Sequence, residues 1–328
     1  MRKEILFAII GGSIFGLVIA FGIWRVNSAL SPRNQAATDS TEEPDKENAI
    51  ISVAEPSEND VLGASPTAIS GLTRPASVVV ISGEEHDYLV VADNKGAFTE
   101  DISLIGGINQ IVATAFDKDG TSGEQKLTLI YSTEFAKPSQ APTEAAESTD
   151  SVRQKVQEKV EDALNSPTAY LGTVTDISEG SIQVKSASGE INQVATKDTP
   201  TVIQDGKSPK TVKLADIAIG DFIVAMGYRN GNHVLSARRI LIVTPPTPTP
   251  RKAIYGNIAS VSKTGITLET KQGDTTITVG ATTTIYRVKG EDFTKINLAA
   301  LEEGNLVAAA FEASAKNTAR TVFLIAAE

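Results

Sequence analysis

The chain has no cysteine and only two histidines, His86 and His233, among its 328 residues. Without cysteine it can form no disulfide, thiol nucleophile, iron–sulfur cluster or Cys-based zinc site, and it carries no thiol for a lipid. Two histidines leave most imidazole-dependent catalysis and metal chemistry short of parts. Positive charge is also scarce: 30 basic against 40 acidic side chains give a net charge of −10, which repels phosphate backbones. A dedicated nucleic-acid binder is therefore not expected. The sequence holds no G-x-S-x-G elbow, H-E-x-x-H pair, phosphate-cradling glycine loop or dinucleotide fingerprint. No catalytic, cofactor-binding or metal-ligating residue is assigned, and the chain is not expected to be an enzyme.

Residues 5–24 (ILFAIIGGSIFGLVIAFGIW) carry no charge. Twenty residues at about 1.5 Å each span about 30 Å, the hydrocarbon thickness of a bilayer, with Trp24 at one boundary. The expectation is a single transmembrane helix after a cytoplasmic stub at 1–4, with the bulk of the chain beyond the membrane. A signal peptide cleaved near Val26-Asn27-Ser28 is the rival reading, although its apolar region would be unusually long. Gly12 and Gly16 form a small-x-x-x-small pair that could let two such helices associate.

Three stretches are poor in core-forming residues: an acidic linker at 25–48, expected to be disordered, a second at 133–150, and a proline-rich one at 244–252 containing TPPTPTP. The acidity is local. Asn34 to Asp150 holds 6 basic and 21 acidic residues, whereas Tyr170 to Val243 holds 8 and 7, and Arg251 to Glu328 holds 9 and 8.

Between residues 49 and 132, β-branched runs such as Ser77-Val-Val-Val-Ile81, Tyr88-Leu-Val-Val-Ala92 and Gln110-Ile-Val-Ala-Thr-Ala-Phe116 alternate with the turns Asp93-Asn-Lys-Gly96 and Asp117-Lys-Asp-Gly120. The spacing predicts a β-sandwich. The order Ile69-Ser-Gly-Leu-Thr-Arg-Pro75, Ser77-Val-Val-Val80, Asp93-Asn-Lys-Gly-Ala-Phe98 and Leu104-Ile-Gly-Gly-Ile-Asn109 resembles bacterial immunoglobulin-like modules related to glucodextranase domain B. That resemblance implies a spacer or adhesion module. Gly83-Glu-Glu-His-Asp87 reads as a solvated hairpin tip in preference to a metal cluster. Asp117-x-Asp119-Gly120 reads as a turn, because the remaining ligands of a calcium loop are missing.

Residues 151–166 open with Val152, Val156, Val160 and Leu164 on one stripe, predicting a short amphipathic helix. It would pack on the following β module or self-associate over 151–165. Then one unit occurs twice, at 168–243 and 253–328. Gly172-Thr-Val-Thr-Asp-Ile177 matches Gly256-Asn-Ile-Ala-Ser-Val261 at an offset of 84, and the same offset carries Gly220 to Gly304, Val224 to Ala308 and Ile240 to Leu324. Short alternating strands suggest a small barrel of OB-like architecture. The G-T-V-x-x-I pattern at Gly172 to Ile177, with the Gly-Asp-containing Leu214 to Val224, resembles a widespread bacterial domain family with no assigned activity; in the second copy Asn305 replaces the Asp. Tyr228-Arg229, Arg238-Arg239, Tyr286-Arg287 and Phe323 are the aromatic and basic residues such a face could offer, with Tyr228 or Tyr286 as a carbohydrate contact. His233 falls in a hairpin turn and is expected to be exposed.

Together these features predict a mainly β fold: transmembrane helix, immunoglobulin-like sandwich, short helix and two tandem OB-like barrels held apart by linkers. The expected role is a non-enzymatic, membrane-anchored envelope or cell-surface protein presenting β modules for adhesion, scaffolding or assembly. The alternative is a binder of cell-wall carbohydrate or peptide through the barrel faces. Expected partners are the bilayer at 5–24 and a wall component or envelope protein.

Overall fold

A computed structural model describes residues 50–136, 166–198, 200–205, 209–230, 232–247, 250–313 and 317–326. The first module contains β1 (Ile51–Glu55), β2 (Val61–Leu62), β3 (Thr67–Thr73), β4 (Val78–Ser82), β5 (Asp87–Val91), β6 (Ala97–Ile102), β7 (Gly107–Phe116) and β8 (Ser122–Tyr131). They make two sheets, β1-β3-β6 and β2-β8-β7-β4-β5. Ile51, Ile69, Phe98 and Ile102 from the smaller sheet meet Val79, Ile81, Ile111, Ala113 and Leu129 from the larger one in a shared core.

The first repeat contains β9 (Thr168–Ser178), β10 (Ser181–Lys185), β11 (Ile191–Ala195), β12 (Thr201–Gln204), β13 (Lys210–Val212), β14 (Phe222–Arg229) and β15 (Leu235–Val243). The second contains β16 (Arg251–Ser262), β17 (Gly265–Thr270), β18 (Gly273–Thr278), β19 (Thr284–Lys289), β20 (Asp292–Ile296), β21 (Leu306–Glu312) and β22 (Thr318–Ile325). The two have one topology. The order β11-β10-β9-β14-β15 is closed by a parallel β11–β15 pairing, and a β12-β13 hairpin lies on the other side of β15. β18-β17-β16-β21-β22, closed by β18–β22, repeats that order.

The shared motif has a steric cause. A Cβ on Gly172 would lie 2.1 Å from the Lys185 carbonyl oxygen, and one on Gly256 would lie 2.2 Å from that of Glu269. Only glycine lets β9 and β16 bend this close to their neighbours. Gly220 and Gly304, at φ of 98° and 83°, hold equivalent turns. Asp221 Oδ2 accepts the Ala218 N–H at 2.8 Å, while Asn305 Oδ1 accepts the Glu302 N–H at 3.0 Å. The Asp-to-Asn change therefore keeps the acceptor, which is all this turn uses.

The constant offset does not survive in the strand ladders. Ile182 pairs with Val194 and Ile266 with Ile277, an offset of 84 in one strand but 83 in the next. In the last strand it falls to 82: Ala225 pairs with Ile240 and Ala309 with Val322, so the counterpart of Ile240 is Val322 and not Leu324. Loops absorb the insertions and deletions, while register is held by which side chains must face the core.

The modules expected to stand apart share apolar cores. Val61 and Ile130 of the first module pack with Ala169, Val224 and Met226 of the first repeat. Val78, Val80 and Phe116 pack with Ala308, Ala310 and Phe323 of the second. Both repeats dock through the same face, since Val224 and Met226 are the counterparts of Ala308 and Ala310. Central strands are thereby covered on both sides. In β4, Val79 and Ile81 face the sandwich core while Val78 and Val80 face the second repeat.

The transmembrane part of the expected architecture is corrected. Among the described residues no helix is long and apolar enough to cross a membrane. The described regular structure is strand, interrupted only by 3-10 turns at Thr133–Phe135, Leu214–Asp216 and Leu298–Ala300. Among the described residues apolar runs reach at most six, which strand pairing buries, far short of a bilayer's width. The reading as a single-pass membrane protein displayed beyond the membrane is set aside with it. Residues 5–24 and the helix at 151–165, with the self-association expected of each, lie outside the described residues.

Candidate functional site

The tip between β4 and β5, Gly83 to Asp87, is where the first module meets the second repeat. Its sequence, Gly-Glu-Glu-His-Asp, reads as a solvated turn, and Glu85 and His86 are indeed exposed. The other groups are engaged. Glu84 Oε1 accepts the Gln110 N–H at 2.9 Å, and its Oε2 pairs with Arg251 Nη2. Arg251, whose side chain is 4% exposed, also donates to the Gln110 carbonyl. Arg320 donates from Nη1 to the Gly83 carbonyl and from Nη2 to that of Glu84, each at 3.1 Å. Thr321 Oγ1 donates to Asp87 Oδ2 at 2.8 Å, with Arg320 Nε 3.6 Å from the same oxygen. These bonds link residues far apart in sequence, so local composition could not signal them.

Beside this contact lies a cleft of about 570 Å³. One wall is aromatic. Tyr286 on β19 stacks on Phe323 of β22 with centroids 6.1 Å apart. Phe293 on β20 stands edge-on to both, at 6.2 Å from Tyr286 and 6.3 Å from Phe323. Phe323 is buried, but Phe293 is 43% exposed and offers ring surface to a ligand. Glu85, His86, Asp87 and Glu100, with Tyr88 and Ser103, also line the cleft. The Tyr88 hydroxyl accepts the Ser103 N–H at 2.8 Å. Burial, with the neighbouring Asp101 charge, raises the pKa of Glu100 above the usual carboxylate range. Asp87 has a side chain only 1% exposed, yet its Oδ1 has no hydrogen-bond partner. A buried, unfilled carboxylate oxygen in a cleft wall is unusual and invites a donor.

The structure brings Tyr286 and Phe323 together, as an aromatic face requires, but sends Arg287 to a different groove beside Leu324 and Glu302. Tyr228 lies in a groove of about 680 Å³ with Glu134, Phe135, Asp198 and Arg238. The Arg238 guanidinium sits 5.8 Å from the Tyr228 ring centroid, and Phe135 is tilted against that ring at 6.3 Å. The aromatic and basic residues are thus divided among separate grooves and make no continuous basic track. His233 is exposed in its hairpin.

Among the described residues no three acidic or histidine side chains converge to hold a metal ion. Asp117 builds a turn, its Oδ1 accepting the N–H groups of Asp119 and Thr121 at 3.0 and 2.8 Å while Arg74 pairs with Oδ2. Burial pushes the Asp117 pKa upward. The Thr121 N–H and the Arg74 and Asp119 donors outweigh it, and the pKa lies below the usual range.

Sequence reading missed Phe293, Glu100 and the engagement of Glu84 and Asp87. One signal was present. The unbroken runs Val78–Ile81, Ile223–Met226 and Val307–Phe311 do not alternate, as strands with a solvated face would. They announce strands covered on both faces, hence modules in contact.

No family model matches the chain, and no curated protein does. Among solved structures, a tetra-tandem repeat in the extending region of a large adhesion protein is 16% identical, covers 83% of this chain and 71% of its own, and gives a TM-score of 0.21. SGBP-B of the Bacteroides ovatus mixed-linkage glucan utilization locus, solved with a mixed-linkage heptasaccharide, is 14% identical over 87% of this chain and 71% of its own, with a TM-score of 0.19. A carbohydrate acetylesterase from Xanthomonas citri is 19% identical over 23% of this chain at a TM-score of 0.19, and the match spans only 17% of the esterase. The functional reading rests on the cleft's own residues.

Proposed function

We propose that this chain is a non-enzymatic saccharide-binding protein, and that its cleft between the first module and the second repeat is the binding site. The observation that carries the reading is an exposed ring, Phe293, braced by Tyr286 and Phe323 in a cleft that Glu85, Asp87 and Glu100 also line. A pyranose presents apolar C–H faces and a rim of hydroxyl donors. An aromatic platform opposite acceptors matches both. An adhesion module needs such a gripping surface, so the adhesion reading and the saccharide reading meet at this site.

The finer fold assignments support the same role. A two-sheet sandwich with its own core favours the immunoglobulin-like reading of the first module. In each repeat, a ring closed by a parallel pairing between its third and last ring strands in chain order favours the OB-like reading. OB-like barrels bind oligosaccharides on an open face. Calorimetric titration of the full chain with a panel of soluble tetrasaccharides tests the proposal. Binding that Phe293→Ala abolishes, at unchanged melting temperature, is the expected result. Heat-silent titrations across the whole panel would reject it.

A further inference from the structure

We infer that the cleft selects saccharides bearing free amino groups, of the glucosamine type, over neutral or N-acetylated ones. The inference rests on the saccharide reading and deepens it. Its basis is charge. Glu85, Asp87 and Glu100 all line the cleft, and Arg320, the one permanent cation among its described lining residues, is already committed. Its Nη atoms are taken by the Gly83 and Glu84 carbonyls, and its Nε faces Asp87. Asp87 and Arg320 offset one another, which leaves Glu85 and Glu100 without a cation.

The carboxylates are not gathered for a chelated ion, since no three of them converge. Carboxylates that line one cleft without converging suit separate cationic groups carried on a chain of rings. Two further observations point to a ligand. Asp87 Oδ1, buried on a side chain 1% exposed, has no donor among the described residues. Glu100, whose pKa is raised by burial and by the Asp101 charge, lines the cleft with no cationic partner among the described residues. An ammonium beside Glu100 would favour its charged form and pair with it. Acetylating the amine removes that charge and adds bulk facing the carboxylates. A neutral hydroxyl in the same place supplies a hydrogen bond and no charge.

The test uses the full chain titrated with glucosamine tetramer, N-acetylglucosamine tetramer, cellotetraose and a tetralysine peptide at low and at physiological salt. The expected result is that the glucosamine tetramer binds about tenfold more tightly than either other sugar, the gain two partly exposed ion pairs reach together. That advantage should shrink as salt is raised. In the double variant Glu85→Gln/Glu100→Gln the ratio of glucosamine-tetramer to cellotetraose affinity should fall to within about twofold. Both substitutions remove charge without removing shape, and an unchanged melting temperature confirms folding. Equal binding of the three sugars would overturn the amine selectivity and leave the saccharide reading standing. Binding of tetralysine with no sugar bound would overturn both.

Discussion

The two repeats use the same face of the same topology to dock on the first module, yet the two joints are held by different chemistry. At the first joint the backbone contributes: the Val61 N–H donates to the Pro167 carbonyl at 3.0 Å, and the Ala169 N–H to that of Asn59 at 2.9 Å. Large apolar side chains, Met226 and Val224, fill the contact. The counterparts at the second joint are Ala310 and Ala308, which leave room for Phe116 to stack on Tyr255 at 5.6 Å. Arg251 occupies the position equivalent to Pro167, and its buried guanidinium replaces the backbone bonds. A duplicated face is therefore a reusable apolar platform. What it grips is decided by a few positions around its edge.

The sharpest way to break this comparison is Glu84→Ala. It strands Arg251, a nearly fully buried charge, and is expected to cost about 3–5 kcal/mol by denaturant unfolding. A loss below about 1 kcal/mol would show that the joint does not depend on the pair. Next, Met226→Ala empties the first joint and should cost about 3 kcal/mol. The reciprocal Ala310→Met overfills the second and should cost about 1–3 kcal/mol. If both variants keep the parental midpoint, the two faces are not packed as described.

A smaller effect comes from Arg74→Ala, expected to cost up to about 1 kcal/mol at neutral pH because the arginine is half-exposed. The folded pKa of Asp117 lies below its unfolded value. The contribution is therefore present above about pH 4 and is lost as pH falls through the folded pKa. Parent and variant stabilities should converge by about pH 2 in thermal melts, and a gap that persists there would contradict the pairing. Smallest of all, Glu134→Gln removes the ion pair with Arg239 at the first joint. With Glu134 43% exposed, it should change stability by about 0.5 kcal/mol or less.

The strands and turns of the first module were legible because alternation and Asx–Gly turns are local signals. The duplication was legible through Gly172 and Gly256, where an added Cβ would strike a neighbouring carbonyl. Its gaps were not, because a constant offset of 84 matches residues by identity while the ladder matches them by facing. Ile240 and Leu324 look equivalent in line, yet Val322 occupies the place of Ile240. The candidate cleft was half legible. Tyr286 and Phe323 stood out as aromatic residues on strands, whereas Glu100 belongs to an edge strand of another module, more than 180 positions away.

By itself the sequence determined everything that depends on neighbours a few residues apart: strand period, turn chemistry, the glycines that permit close approach, and the absence of thiol chemistry. Tertiary structure alone decided that the modules interlock, that Glu84 and Asp87 serve a joint instead of the solvent, and that aromatic rings and carboxylates from different modules line one cleft. The reason is that strand formation is driven by local backbone and side-chain preference. Docking is set by which covered faces fit together, and that matching is made between residues separated by most of the chain.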